Sequence, residues 1–152
     1  MDLRREELVK EALSWNGKTK FAHGQCLKGV AADCSTYIAA CYRSVGLFKA
    51  DIPVLPPDWF VHTTKQHYLE ELMKHTVEFT LKEKTPEPGD IVIVKDIAIG
   101  AKVYSHGAII LFWGIEPRVI HCFPPCVMIS NPYRFPAFAG KPLKFFDPFK
   151  EH

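Results

Sequence analysis

The sequence predicts an α+β fold, with helices in its first half and an antiparallel β-sheet in its second, as a single domain over residues 1–152. Three observations carry this. Apolar residues recur at helical spacing in two early segments, Leu3 to Trp15 and Asp33 to Val45. Short apolar runs then follow a strong turn signal, Pro86-Glu87-Pro88-Gly89-Asp90, at Ile91 to Val94, Ala108 to Phe112 and Arg118 to Phe123. Finally, 152 residues of which 47% are hydrophobic can bury one core and are too few for two typical domains.

Leu3, Leu8, Val9, Ala12 and Leu13 form an apolar stripe between Glu6, Glu7 and Lys10, and Gly17 ends that first helix. Asn16 to Ala32, with Gly17, Gly24 and Gly29, reads as an irregular loop. In the second helix Cys34, Ile38, Cys41 and Val45 fall on one face, and Gly46 stands where a C-terminal cap belongs. Three prolines make 51–57 a connector, and a third helix is expected around Tyr68 to Val77. The segment from Pro124 onward is rich in proline and phenylalanine without a period, so it is expected to wrap the surface and close a sheet edge.

A net charge of +2, with no basic stripe, gives no footing for nucleic acid. The charged N-terminal segment lacks the apolar run of a secretory signal, and no stretch reaches membrane-spanning length. Synthesis in the cytoplasm is the expectation, with release by lysis or within a larger particle left open. Five cysteines, an odd number without the spacing of a disulfide scaffold, predict at least one free thiol.

Cys34 follows Asp33 where loop becomes helix. Unpaired backbone N–H groups and the positive end of the helix dipole meet its sulfur there, and both favour thiolate. The same N–H groups can bind the oxyanion that forms when a carbonyl is attacked. Taken alone, Cys34 also reads as a small packing residue continuous with Ile38 and Cys41. The two downstream histidines change that balance. His106 and His121 each interrupt an apolar strand, in VYSHGAIILF and RVIHCF. An even hairpin loop between them puts both on one face, where one imidazole takes the thiol proton and the other orients it; an odd loop separates them. A zinc site drawing on His121, Cys122, Cys126 and Cys34 or Cys41 lacks a second tight ligand pair, so no metal or other cofactor is expected.

Several segments, in order, resemble the NlpC-type cell-wall peptidases of the papain-like clan, and within them the phage-associated branch. They are Trp15 to Gly24, Leu27 to Val30, Asp33-Cys34-Ser35, Tyr42 to Leu47, Pro56 to Trp59, Pro88 to Ile91, Ser105 to Ile110 and Val119-Ile120-His121. The resemblance implies a papain-like fold, Cys34 as nucleophile, His106 as base and His121 as the orienting third residue. It places Phe21, His23, Asp33, Ser35 and Ser105 beside Cys34 as oxyanion or substrate-lining residues. Phe21 is a departure: many relatives carry there a tyrosine whose hydroxyl lies near the oxyanion, and phenylalanine has no donor.

The function expected on this basis is hydrolysis of an amide bond in peptidoglycan stem peptides through a Cys34 thioacyl intermediate. The resemblance also implies association with phage or prophage tail proteins, in a virion or at the cell wall; a bacterial housekeeping role fits the residues equally. Two rival functions share the fold: an acyltransferase that passes the acyl group to an amine or alcohol, and a non-catalytic wall-binding or tail module.

Overall fold

A computed structural model describes residues 2–47 and 55–150. Helix α1 (Leu3–Ser14) starts at Asp2, whose carboxylate accepts the Arg4 N–H, and the chain turns away at Gly17 with φ of 68°. Helix α2 (Cys34–Ser44) is capped by Asp33 and closes at Gly46, again with positive φ, 73°. The third expected helix is present as α4 (His67–His75), preceded by a single turn, α3 (Trp59–His62). Most of the 51–57 connector lies outside the described residues.

The strands form one sheet in the order β2-β3-β1-β8-β7-β6-β5-β9-β4. They are β1 (Lys20–Phe21), β2 (Cys26–Leu27), β3 (Ala31–Ala32), β4 (Val77–Phe79), β5 (Ile91–Val94), β6 (His106–Phe112), β7 (Arg118–Phe123), β8 (Cys126–Ser130) and β9 (Leu143–Asp147). Pairing is antiparallel throughout except between β1 and β3. Two regions differ from expectation. The glycine-bearing loop 16–32 contains three two-residue strands, too short to show a period of two. The proline- and phenylalanine-rich segment supplies β8 and β9, and both are interior strands rather than edge covers.

Each run of apolar residues splits between two cores. Ile91, Ile93, Ile109 and Ile120 face α1 and α2, packing with Leu8, Trp15, Tyr37, Ile38 and Tyr42. Their neighbours Val92, Val94, Ala108, Ile110 and Val119 face the other way, onto Phe79, Phe138 and Phe145. The segment between β8 and β9, carrying Ala137 and Phe138, covers that second face. This is why β5 reads as four consecutive apolar residues rather than an alternation.

Arg5 ties the first helix to the sheet from inside. Its guanidinium donates to Asp90 at 2.9 Å, to the Pro88 carbonyl at 3.0 Å and to Asp147 at 3.0 Å. Lys84 completes the network, 3.1 Å from Asp90 and 2.8 Å from Asp147. Burial holds the Asp90 carboxyl above the usual carboxylate range despite these partners. Removing one member therefore strands buried charge. Arg5→Ala is expected to lower stability by about 3 kcal/mol in urea unfolding; a loss no larger than that of an exposed ion pair would show that the network contributes little.

Candidate active site

Asp33 fixes the start of α2. One carboxylate oxygen accepts the Ser35 and Thr36 N–H groups and the Ser35 hydroxyl, the other accepts the Gly24 N–H at 2.8 Å, and Thr36 Oγ1 accepts the Asp33 N–H in return. This reciprocal capping gives the second and third N–H groups of the helix a partner. The Cys34 thiol is half-buried and donates to the carbonyl of Ser105 at 3.7 Å. Burial and then the Asp33 charge push the thiol up, outweighing the backbone N–H groups of Gly107 and Ser35, which favour thiolate. The surroundings of the sulfur thus work against the thiolate that its helix-start position alone favours.

A local irregularity puts both histidines on one face. The loop between the last pair of β6 and β7, Phe112 and Arg118, has five residues, 113–117, an odd number. Continued without interruption, that register points His106 and His121 to opposite faces. A bulge at Leu111 shifts the pairing, so that Ile110 meets Val119 and Ile109 meets Ile120. The extra residue reverses the alternation, and His106 and His121 emerge together on the face covered by Phe138.

There His106 Nε2 lies 2.8 Å from His121 Nδ1, and His121 Nε2 lies 2.8 Å from Ser130 Oγ. If His106 Nε2 carries the hydrogen, His121 Nδ1 accepts it and His121 Nε2 donates to Ser130, which leaves His106 Nδ1 as a base. Phe123 and Phe138 pack against both rings, and Phe135 closes on His121. This aromatic enclosure explains why burial lowers His106 to about 3 and His121 to about 2.

One cavity of about 400 Å³ is lined by Phe21, His23, Asp33, Cys34, Ser35, Ser105 and His106, so seven of the eight expected site residues meet there. His121 stands behind His106 and is fully buried. His23 is held by the Leu55 carbonyl, 2.5 Å from Nε2, and Phe21 brings only its ring. Ser130 was not legible in sequence, because β8 lies within the segment read as aperiodic. Tyr68, Trp59 and Phe60 also line the cavity, from helices whose facing the periodicity alone did not determine. Cys41 and Cys122 are buried, and among the described residues no group of three or more His, Cys, Asp or Glu side chains is arranged to hold a metal.

Solved structures share this architecture. NlpC1 from Trichomonas vaginalis superposes with a TM-score of 0.63 over 95% of this chain and 44% of its own, at 16% identity. An NLP/P60-family protein, similar to lipoprotein, from Staphylococcus aureus superposes with a TM-score of 0.57 over 86% of this chain and 37% of its own, at 20% identity. The fold is the papain-like one of the NlpC/P60 proteins. This chain spans less than half the length of either neighbour. No protein-family model and no curated protein sequence matches it.

The two histidines make stability depend on pH with a definite sign. In the unfolded chain each takes a proton near pH 6.5, whereas the fold keeps His106 neutral to about 3 and His121 to about 2. Below about 6.5 the unfolded state binds more protons, so their contribution is complete above that pH and is lost as pH falls. Between pH 6 and 4 each histidine should add roughly 1 kcal/mol of destabilisation per pH unit. Comparing urea unfolding of the wild type and His121→Asn across that range should show a slope smaller by about one proton in the variant; equal slopes would mean that His121 is protonated within the fold.

Proposed function

We propose that the protein is a cysteine peptidase or amidase that cleaves an amide bond in peptidoglycan stem peptides. The observation that carries this reading is the buried chain His106–His121–Ser130, whose outer member opens into the cavity where Cys34 begins α2. The NlpC/P60 fold supports the substrate class.

Since burial favours the uncharged form of both groups, the thiol proton moves to His106 Nδ1 as sulfur attacks the substrate carbonyl, not before. The new C–S bond leaves a tetrahedral oxyanion facing the Cys34 N–H. Collapse breaks the C–N bond, and His106 returns the proton to the leaving amine. Water, deprotonated by the same imidazole, then hydrolyses the thioester and releases Cys34 as thiol. His121 and Ser130 hold the His106 ring in the orientation and tautomer that both halves require.

Digestion of purified peptidoglycan, with fragments identified by mass spectrometry, tests this. Cys34→Ala is expected to abolish cleavage, and His106→Ala to slow it by about a thousandfold. Ser130→Ala, which removes only the far end of the chain, should cost about tenfold or less. Undiminished cleavage by Cys34→Ala would sink the proposal, and wall binding without cleavage by the wild type would favour a non-catalytic module.

A further inference from the structure

Away from Cys34 and His106 the wall of the cavity is largely hydrocarbon. Phe21, Trp59, Phe60 and Phe123 line it with half-buried rings, and Leu55 and Ile99 join them. The carboxylates on the same wall are already engaged. Asp33 holds the start of α2, Glu71 lies 3.0 Å from Lys74 Nζ and 3.2 Å from His75 Nε2, and Asp96 Oδ1 lies 2.6 Å from Lys141 Nζ. The rings are held in place by the protein itself. Trp59 meets Phe60 and His67 edge-on, with centroids 6.1 Å and 5.8 Å apart. The Phe60 carbonyl accepts the Lys102 N–H at 3.0 Å, which ties α3 to the loop that follows Ile99. Apolar area held this way in water is stabilised by whatever apolar group covers it. A volume of about 400 Å³ falls in the range of small-molecule sites, where a mostly apolar lining carries a few polar groups.

We infer that this cavity is an acyl pocket, and that Cys34 takes up apolar acyl groups from esters and thioesters of uncharged, medium-length carboxylic acids, an activity additional to cleavage of stem peptides. This rests on the nucleophilic role proposed for Cys34. The acyl chain lies against the rings of Phe21, Trp59, Phe60 and Phe123 while its carbonyl carbon meets the sulfur. As the C–S bond forms, the thiol proton passes to His106 and the carbonyl π electrons move onto oxygen. Collapse breaks the bond to the alcohol or thiol, which leaves with the proton that His106 returns. Water then adds to the new thioester, and its hydrolysis releases the carboxylic acid and restores the Cys34 thiol. An acyl group ending in a carboxylate gains nothing from such a wall, because burying its charge beside rings costs more than the chain contributes.

Thioesters of mercaptoethanesulfonate keep the leaving group polar and constant while the acyl chain varies. Acetyl, hexanoyl and glutaryl thioesters are compared by chromatography, with the rate of Cys34→Ala subtracted and the acylated cysteine mapped after acid quench. The second-order rate is expected to rise about threefold per methylene, on the order of eightyfold from acetyl to hexanoyl. Glutaryl, of similar length but ending in a carboxylate, is expected to react within about threefold of acetyl. Ile99 is 57% exposed, so Ile99→Asp sets a charge in the cavity without disturbing the core. It should lower the hexanoyl-to-acetyl ratio by about tenfold, and Trp59→Ala should lower it likewise. A wild-type ratio below about tenfold overturns the inference, as does glutaryl matching hexanoyl or a ratio unmoved in both variants. In each of those cases Cys34 is still acylated, and its reading as nucleophile stands. If no thioester acylates Cys34, that reading fails and the acyl pocket with it.

Discussion

Everything at the site depends on the carboxylate of Asp33. Two backbone N–H groups of α2, the Ser35 hydroxyl and the Gly24 N–H converge on its two oxygens, so one buried side chain both starts the helix that begins at Cys34 and fastens the loop that walls the cavity. The same charge raises the cost of ionising Cys34 beside it. Positioning and reactivity are therefore opposed in a single residue: the group that starts the helix at the thiol also adds to the burial that opposes its ionisation. In the mechanism proposed above, the neutral imidazole of His106, in its aromatic enclosure, resolves that conflict by accepting the proton at the moment of attack.

The histidine side of the site is set by backbone geometry instead. One extra residue at Leu111 decides whether His106 and His121 share a face, and the five-residue turn 113–117 would separate them without it. Bulge and turn are compensating irregularities in a hairpin whose remaining pairs are regular. With parity restored, the aromatic rings of Phe123, Phe135 and Phe138 dry the pair and fix its orientation. Ser130 supplies the last polar partner, so that a buried imidazole has both nitrogens accounted for.

What was legible in sequence follows from which signals are local. Helix α2 announced itself through its apolar period, its Asp33 cap and Gly46, and strands β6 and β7 through apolar runs that each admit one histidine. Cys34, His106 and His121 could be placed because they break or begin such patterns. Strands of two residues at 20–32 are below any periodic signal. The strands β8 and β9 hide in a segment where aromatic residues serve both faces and prolines dominate the connections. Ser130 escaped for a different reason. It is one polar residue in an ordinary position, and its significance arises from a partner brought near by long-range pairing, His121. The Leu111 bulge belongs to the same class, since only the pairing of two strands reveals it.

The segment that covers the second face of the sheet carries a further consequence, one of timing. A chain synthesised as far as Phe123 already holds Cys34, His106 and His121, yet it lacks Ser130, Phe135 and Phe138, which orient and dry the histidines, and lacks β9, which separates β5 from β4. A nascent chain thus owns the two histidines before it owns the surroundings that bury them. The enclosure of the histidines belongs to the completed sheet, and in a ribosome-bound fragment that ends at Phe123 the two imidazoles have neither Ser130 nor the rings of Phe135 and Phe138.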